Sequence, residues 1–224
     1  MLATASTVAA LAAALVAGAP PSTRTPAAAA GLAPPVPVPS LLGAETLDGG
    51  SAALAWAGFA SLGVAYGQGL TREDDLGASA ELDWSSTELL LSAFWRRPLG
   101  TLGGWEMAGR LKLGWYLDFG STWIHADNRA DRGLLVAPAL LLSTRAGEGL
   151  VSVSAEAPLT FTSWRGGGFL VAPKVAAAYE TPLYGDLTIG VRAGLSWRGG
   201  GGEAPMRSGR VEPELLVLAG YRVF

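Results

Sequence analysis

The chain has 224 residues, half of them hydrophobic, and only 16% of them are charged. A soluble surface normally carries roughly 25–35% charged residues, so this composition is poor in material for a water-facing exterior. The net charge of −3 argues against nucleic acid as a partner, and the absence of cysteine excludes disulfides and thiolate metal sites.

Residues 1–30 are predicted to be a signal peptide. Residues 7–19, TVAALAAALVAGA, form an apolar run that is too short to cross a bilayer as a helix, which needs about 20 residues. Candidate cleavage points follow Ala19 and Ala30, although MLATAS supplies no basic residue before the run. The alternative is a disordered tail of alanine and proline. Residues 31–51 are predicted to be a Pro/Gly-rich periplasmic linker, and residues 52–224 the folded domain.

From residue 52 onward the hydrophobic period is two, which indicates β-strands. In LTIGVRAGLSWR, residues 187–198, every odd position is apolar, and Thr188, Arg192 and Arg198 stand at even positions. The alternation predicts strands near residues 52–69, 75–97, 105–119, 133–145, 150–162, 169–181, 187–198 and 210–224. After residue 30 no apolar run reaches the length of a transmembrane helix.

The second predicted strand contains a change of phase. Its apolar residues stand at even positions in LGASAELDW, residues 76–84, and at odd positions in TELLLSAFW, residues 87–95. The change at Ser85–Ser86 is either a tight turn, which gives nine strands, or a β-bulge within one long strand, which gives eight. We interpret it as a bulge, because single-chain bacterial outer-membrane barrels have an even number of strands.

Charged residues collect on one face of these strands. The polar phase holds nine acids and eight bases, whereas the apolar phase holds only Arg97, at a strand end. The polar-phase set is Glu81, Asp83, Glu88, Arg96, Glu106, Arg110, Lys112, Asp118, Arg145, Glu156, Lys174, Glu180, Arg192, Arg198, Glu212, Glu214 and Arg222. The same phase is rich in small residues, such as Ala53, Ala55 and Ala57, which suit a narrow lumen better than a soluble exterior. So near a balance of charge predicts a network of internal ion pairs.

Aromatic residues of the apolar phase fall at two levels if the last residue lies in the periplasm. The periplasmic level is predicted to hold Trp56, Trp95, Trp105, Tyr179 and Tyr221, and the outer level Tyr66, Trp115, Phe119, Phe161, Phe169 and Trp197. Pairs on one predicted strand, such as Trp56 with Tyr66, are separated by roughly 25 Å along the membrane normal, which is the height of the apolar band of a membrane barrel. Two such levels are typical of the two membrane–water interfaces.

With these features, residues 52–224 resemble the small eight-stranded outer-membrane β-barrel proteins of Gram-negative bacteria. The resemblance rests on the strand pattern, the two aromatic levels and the C-terminal stretch AGYRVF. It implies an all-β, antiparallel, up-and-down transmembrane barrel that is a monomer in outer-membrane lipid. It also implies that Tyr221 and Phe224 form the signal read by the barrel-assembly machinery, although Phe224 is out of phase with Tyr221.

The functional hypotheses belong to different classes. A structural or surface role without transport is favoured, because eight strands leave an interior just wide enough for side chains to fill. A narrow conduit for small or hydrophobic solutes is the alternative, and a lipid-modifying enzyme of the outer leaflet is the third hypothesis. No sustained conductance is expected.

The sequence offers no catalytic or metal-binding constellation and indicates no cofactor. His125 is the only histidine, in a predicted loop where Ser121 and Thr122 precede it. Glu212 and Glu214 share one face of the last strand, where pairing with lumen bases is the simpler interpretation. The Gly-rich stretches SWRGGGF and RGGGGEAP lack the strand-to-helix context of a phosphate-binding loop and are predicted to be hairpin loops.

Overall fold

The protein is an all-β, antiparallel, closed barrel. The computed structural model describes residues 40–59, 61–84, 86–120, 130–162, 167–202 and 209–223. Its strands are β1 (Ser51–Gly58), β2 (Ser61–Gly69), β3 (Asp75–Asp83), β4 (Glu88–Leu102), β5 (Trp105–Asp118), β6 (Asp131–Ala146), β7 (Gly149–Glu156), β8 (Leu159–Thr162), β9 (Gly168–Val171), β10 (Lys174–Tyr184), β11 (Leu187–Gly202) and β12 (Arg210–Val223). In the part of the chain that is described, no helix is long and apolar enough to cross a membrane.

Ten strands close the ring. Their order is β1, β2, β3, β4, β5, β6, β7, β10, β11 and β12, and β12 pairs with β1 to complete the circle. The four-residue strands β8 and β9 lie outside this ring, where β8 pairs with β6 and β9, and β9 pairs with β11. Every neighbouring pair is antiparallel.

Prolines separate the two outer strands from their continuations in the ring. Pro158 stands between β7 and β8, and Pro173 between β9 and β10; neither can donate a backbone hydrogen bond to the sheet. The neighbouring groups still pair across the breaks: Ala172 N donates to Pro158 O at 3.0 Å, and Trp197 N donates to Pro173 O at 2.9 Å. The predicted strands near residues 150–162 and 169–181 are therefore each divided in two.

The predicted number of eight strands is wrong, because the first two predicted strands are both hairpins. Residues 52–69 fold into β1 and β2, and Ala57 pairs with Leu62. Residues 75–97 hold β3 and most of β4, and the chain reverses direction between them at the position interpreted as a bulge: Asp83 pairs with Glu88. Thr87, with φ of 59°, supplies the left-handed residue that this tight reversal needs.

The two ends of the barrel are distinguished by the chain termini. The terminal end carries the start of β1, the finish of β12 and four turns near residues 70–74, 103–104, 147–148 and 185–186. We call the opposite end, where β1 finishes and β4 begins, the loop end. Both described chain ends meet at the terminal end because an even number of strands closes the ring.

Side chains alternate between the lumen and the exterior, as the period of two predicts. In β5, for example, Arg110 and Tyr116 are buried inside, whereas Leu113 and Trp115 are 53% and 64% exposed outside. One strand has the reverse phase to the predicted one. In β1 the larger residues Leu54 and Trp56 face inward, and the alanines assigned to the lumen face outward.

The barrel lumen as a candidate functional site

The charged residues assigned to the lumen lie at inward positions of the strands. Nine of the predicted side chains form six ion pairs with one another in the lumen: Arg110 and Lys112 with Glu156, Lys174 and Arg192 with Glu214, and Arg198 with both Glu88 and Glu212. Glu106 lies exposed near the terminal end, and Glu81 makes no hydrogen bond or ion pair with any described residue. The alternation of the strands brings these groups together from opposite sides of the ring.

The lumen contains a cavity of about 410 Å³. It reaches from Leu41 and Leu42 at its floor to Phe59, Asp83 and Arg210 near the loop end. Ligand pockets typically measure roughly 300–1,000 Å³, so this space is large enough for a small ligand. The prediction of an interior filled by side chains rested on eight strands, and ten strands make a wider ring.

Two walls of the cavity differ in chemistry. The apolar wall consists of Leu54, Trp56, Phe94, Leu216 and Leu218, which come from β1, β4 and β12. Its shape depends on glycine, because a Cβ on Gly63 would lie 2.3 Å from the Trp56 ring. This wall continues into the buried core that includes Leu41.

The facing wall holds what we call the cation cluster: Arg110, Lys112, Lys174 and Arg192. Arg110 Nη2 lies 2.8 Å from Glu156 Oε2, Lys112 Nζ lies 3.2 Å from Glu156 Oε1, and Arg192 Nε lies 3.0 Å from Glu214 Oε1; Lys174 also pairs with Glu214.

Four cations therefore share two carboxylates, so these ion pairs hold a formal excess of two positive charges; Glu81 lines the same cavity near Lys112 but pairs with none of the four. The side chains of both lysines keep 21% of their surface exposed, within the cavity lining.

The mouth of the cavity is acidic by comparison. Arg198 pairs with Glu88 and with Glu212, and Arg210 Nε lies 3.9 Å from Glu212 Oε1. Asp83 also lines this region, and the Tyr116 hydroxyl donates to Asp118 Oδ2 at 3.0 Å. The lumen is thus polarised along its length, with acids near the loop end and the cation cluster deeper inside.

Residues 40–50, which we call the plug, close the lumen at the terminal end. Sequence analysis placed them in a periplasmic linker; in the structure Leu41, Ala44 and Leu47 are at most 7% exposed inside the ring. Gly43 packs so tightly that a Cβ would lie 2.8 Å from Ser143 Oγ and 2.9 Å from Ser152 Oγ.

Arg96 fastens the plug to the wall and is fully buried. Its Nη1 donates to Ser40 O at 2.9 Å and to Gly43 O at 2.8 Å, while its Nε and Nη2 donate to Asp75 Oδ2 at 2.8 and 2.6 Å. Asp75 Oδ1 in turn accepts from Leu47 N at 3.1 Å. One buried ion pair of the wall therefore satisfies three backbone groups of the plug.

Further polar contacts hold the plug on the other side of the ring. Ser40 Oγ donates to Glu180 Oε2 at 2.5 Å and accepts from the backbone N–H groups of Leu42 and Gly43 at 3.1 and 3.0 Å. Ala44 N donates to Ser143 Oγ. These contacts to β6 and β10, together with those to β3 and β4, tie the plug to several parts of the ring.

Glu45 makes the plug's one ion pair to β6 among the described residues, with Arg145 Nη2 3.0 Å from Glu45 Oε1. Burial raises the pKa of the Glu45 carboxyl above its ordinary value of 4.5, and the charge of Arg145 opposes this without cancelling it. The plug therefore carries a carboxyl group whose protonated form the docked position favours.

Sequence analysis missed Asp75, Glu45 and Arg210 as members of the lumen network. Asp75 and Arg210 are in phase with the assigned acids of β3 and β12, so extending the alternation to the strand ends finds them. Glu45 carried no such signal, because the plug has no periodicity.

The aromatic residues also occupy two levels, with two changes from the prediction. Trp56 lies in the lumen, and Tyr66 belongs to the terminal end, since it pairs with Ala53, which pairs with Tyr221. Tyr66, Trp95, Trp105, Tyr179 and Tyr221 lie toward the terminal end, and Trp115, Phe119, Phe161, Phe169 and Trp197 toward the loop end.

Some predicted features fall outside the described residues. These are the signal peptide with its cleavage points, His125 with Ser121 and Thr122, Ser85 and the terminal Phe224. Of the Gly-rich stretches, residues 199–202 belong to β11 and pair with β9 rather than forming a loop. Within the described ranges, no three His, Asp or Glu side chains are grouped so that they could hold a metal ion.

Comparisons of the chain with protein-family models, with curated proteins and with solved structures found no match.

Proposed function

We propose that this chain is an integral outer-membrane β-barrel protein of a Gram-negative bacterium, with a structural or ligand-holding role and no open channel. The observation that carries the proposal is the chemistry of the barrel exterior. Across the described strands, the outward positions carry only two charged residues, Arg97 and Arg132. Arg97 reaches Glu73 in the β2–β3 turn, and Arg132 is the second residue of β6.

Most of the other outward positions carry apolar side chains, many of them large. Leu113 and Val191 are each 53% exposed, and Val217 is 66% exposed. Such exposure on every side of a barrel would be unfavourable in water, whereas lipid chains cover it without cost. The two aromatic levels support the same placement, because Trp and Tyr prefer the membrane–water interfaces.

The plug supports the non-conducting form of this proposal. It fills the terminal end, where its own backbone groups are bound by buried side chains of the wall. A conduit for small or hydrophobic solutes is the second candidate, and the cavity of about 410 Å³ favours it. Passage would require the plug to leave.

We further propose that the last strand carries the signal for the barrel-assembly machinery.

Membrane insertion is tested by refolding the urea-unfolded protein with lipid vesicles. We expect a protease-resistant barrel that floats with the vesicles. In SDS gel electrophoresis it should unfold only when the sample is heated. Recovery of a folded, soluble, monomeric barrel without lipid or detergent would overturn the proposal.

Steady single-channel currents from the unmodified protein in planar bilayers would agree with membrane insertion but would favour the conduit over the closed barrel. The absence of such currents, together with insertion, supports the closed barrel.

A further inference from the structure

The cavity combines an apolar wall with a local excess of positive charge. On the charged side, Arg110, Lys112, Lys174 and Arg192 share only Glu156 and Glu214. Arg110 is 7% exposed, and its Nε has no hydrogen-bond partner among the described atoms. A buried guanidinium with an unused donor is costly unless an acceptor reaches it. The cluster therefore has unused capacity for an anion.

The apolar wall begins directly beside the cations. Phe94 pairs with Lys112 across β4 and β5, and Leu216 pairs with Arg192 across β11 and β12. Trp56, Leu54 and Leu218 extend this surface toward the plug. A molecule whose charged group bound the cation cluster would thus place its other end against the apolar wall.

From these features we propose that the lumen binds an anionic amphiphile: a carboxylate or phosphate group on an aliphatic or aromatic body. The anionic group lies against the cation cluster, and the apolar body lies against Trp56, Phe94 and Leu216. The plug is the floor of the site, since Leu41 and Leu42 line the same cavity. The inference depends on the lumen alone and does not require membrane insertion.

The acidic mouth sets a preference among ligands. Glu88, Asp83 and Glu212 face the entrance, so cations are attracted there but find repulsion at the deeper cluster. An amphiphilic cation of equal length therefore makes a matched control. The apolar exterior would take up the hydrocarbon chain of either molecule, whereas the cation cluster should bind only the anion.

The experiment is a titration of the refolded full chain in a non-ionic detergent with octanoate and octylphosphate, and with octylamine as control. We expect saturable binding of at least one of the two anions and none of octylamine at the same concentrations. Comparison of the two anions identifies the preferred acceptor. Equal uptake of the anions and octylamine would mean partitioning into detergent or onto the exterior, and would overturn the inference.

Variants test the location. Lys112→Met leaves Glu156 paired with Arg110 and should weaken anion binding about tenfold, the effect of losing one charge-assisted contact. Lys112→Arg should restore it. Arg97→Met removes one positive charge from the exterior and should change nothing.

Lys174→Met is the second lumen variant, because Glu214 keeps Arg192. If both folded methionine variants bind as tightly as the unmodified chain, the cluster is not the binding site.

Discussion

Arg96 illustrates how a single residue can hold a whole segment in the lumen. It is fully buried, as is its partner Asp75, and an unpaired charge at such a depth is strongly unfavourable. The two side chains offset the cost of their desolvation by bonding to each other and to the backbone of the plug. The Arg96–Asp75 ion pair therefore anchors the plug, and the plug in turn satisfies hydrogen bonds that this buried pair needs.

The exterior residues give the first prediction. Leu113→Arg, Val191→Arg and Val217→Arg should each lower the free energy of unfolding in lipid by about 2–4 kcal/mol, because a charge at the bilayer midplane is costly. Glu148→Arg, in the exposed β6–β7 turn, is the control and should be close to neutral. Urea titrations in vesicles measure the difference. Equal effects at the two kinds of position would mean that the exterior does not face lipid.

Glu45 gives a prediction about pH. Since burial raises the pKa of its carboxyl in the folded protein, the folded state binds the proton more tightly than the unfolded state. The contribution of Glu45 to stability is therefore complete at acidic pH. It falls as the pH rises from 4.5, the ordinary pKa of the carboxyl, through the raised pKa of the folded protein.

Glu45→Gln removes this titration. The variant should gain stability relative to the unmodified protein as pH rises toward neutral, with little difference below pH 4.5. Unfolding free energies of both proteins across this range provide the test. A parallel pH dependence of the two would contradict the prediction.

At the scale of elements, the plug is the segment that fills the lumen at the terminal end. It is held by side chains of β3, β4, β6 and β10, and it contains no helix or strand. Its apolar residues are the environment into which Leu54 of β1 faces. The plug and the reversed phase of β1 are two aspects of one packing arrangement.

Removal of the anchor should convert a closed barrel into a leaky one. The double variant Arg96→Met, Asp75→Asn removes both charges at once, so that no unpaired charge is left buried. We expect intermittent currents in planar bilayers from this variant and none from the unmodified protein.

Arg97→Met, one residue away but on the exterior, is the control. Silent bilayers with a correctly folded double variant would show that the remaining contacts are sufficient to keep the plug in place.

At the scale of the whole molecule, the number of strands sets the size of the lumen. Ten strands form a wider ring than eight, and the added width is occupied by the plug at one end and the cavity above it. Both added strands come from hairpins near the start of the chain, so the change in size comes from connections of only a few residues.

Disulfide trapping tests the ten-strand arrangement, since the chain has no native cysteine. Ala55→Cys with Val64→Cys, and Ala78→Cys with Ala93→Cys, place the new residues directly opposite each other on β1–β2 and β3–β4. Each pair should oxidise readily, because paired Cα atoms lie within reach of a disulfide. In one continuous strand the first pair would be roughly 30 Å apart.

Ala55→Cys with Ala93→Cys is the control pair, since those residues are not partners. Failure of both paired variants to cross-link, in a barrel shown to be folded, would contradict the hairpins.

The sequence alone determined the class of fold and most of the lumen. Period-two alternation is a local property of an extended chain, so it identifies strands and assigns each side chain to a face wherever the two faces meet different environments. Arg110, Lys112, Glu156, Lys174 and Arg192 were assigned inward on that ground, and their ion pairs follow from closure of the ring.

Tertiary structure decided the strand number, the plug and the phase of β1. Leu54 and Trp56 continue the even apolar phase of Leu62 and Val64, so the sequence shows no break between β1 and β2. The rule that apolar residues face outward fails there, because the plug brings apolar side chains into the lumen. At Ser85–Ser86 the phase change was visible, but a bulge and a turn produce the same change of parity. Which strands are neighbours is settled only by long-range pairing, and no local pattern encodes it.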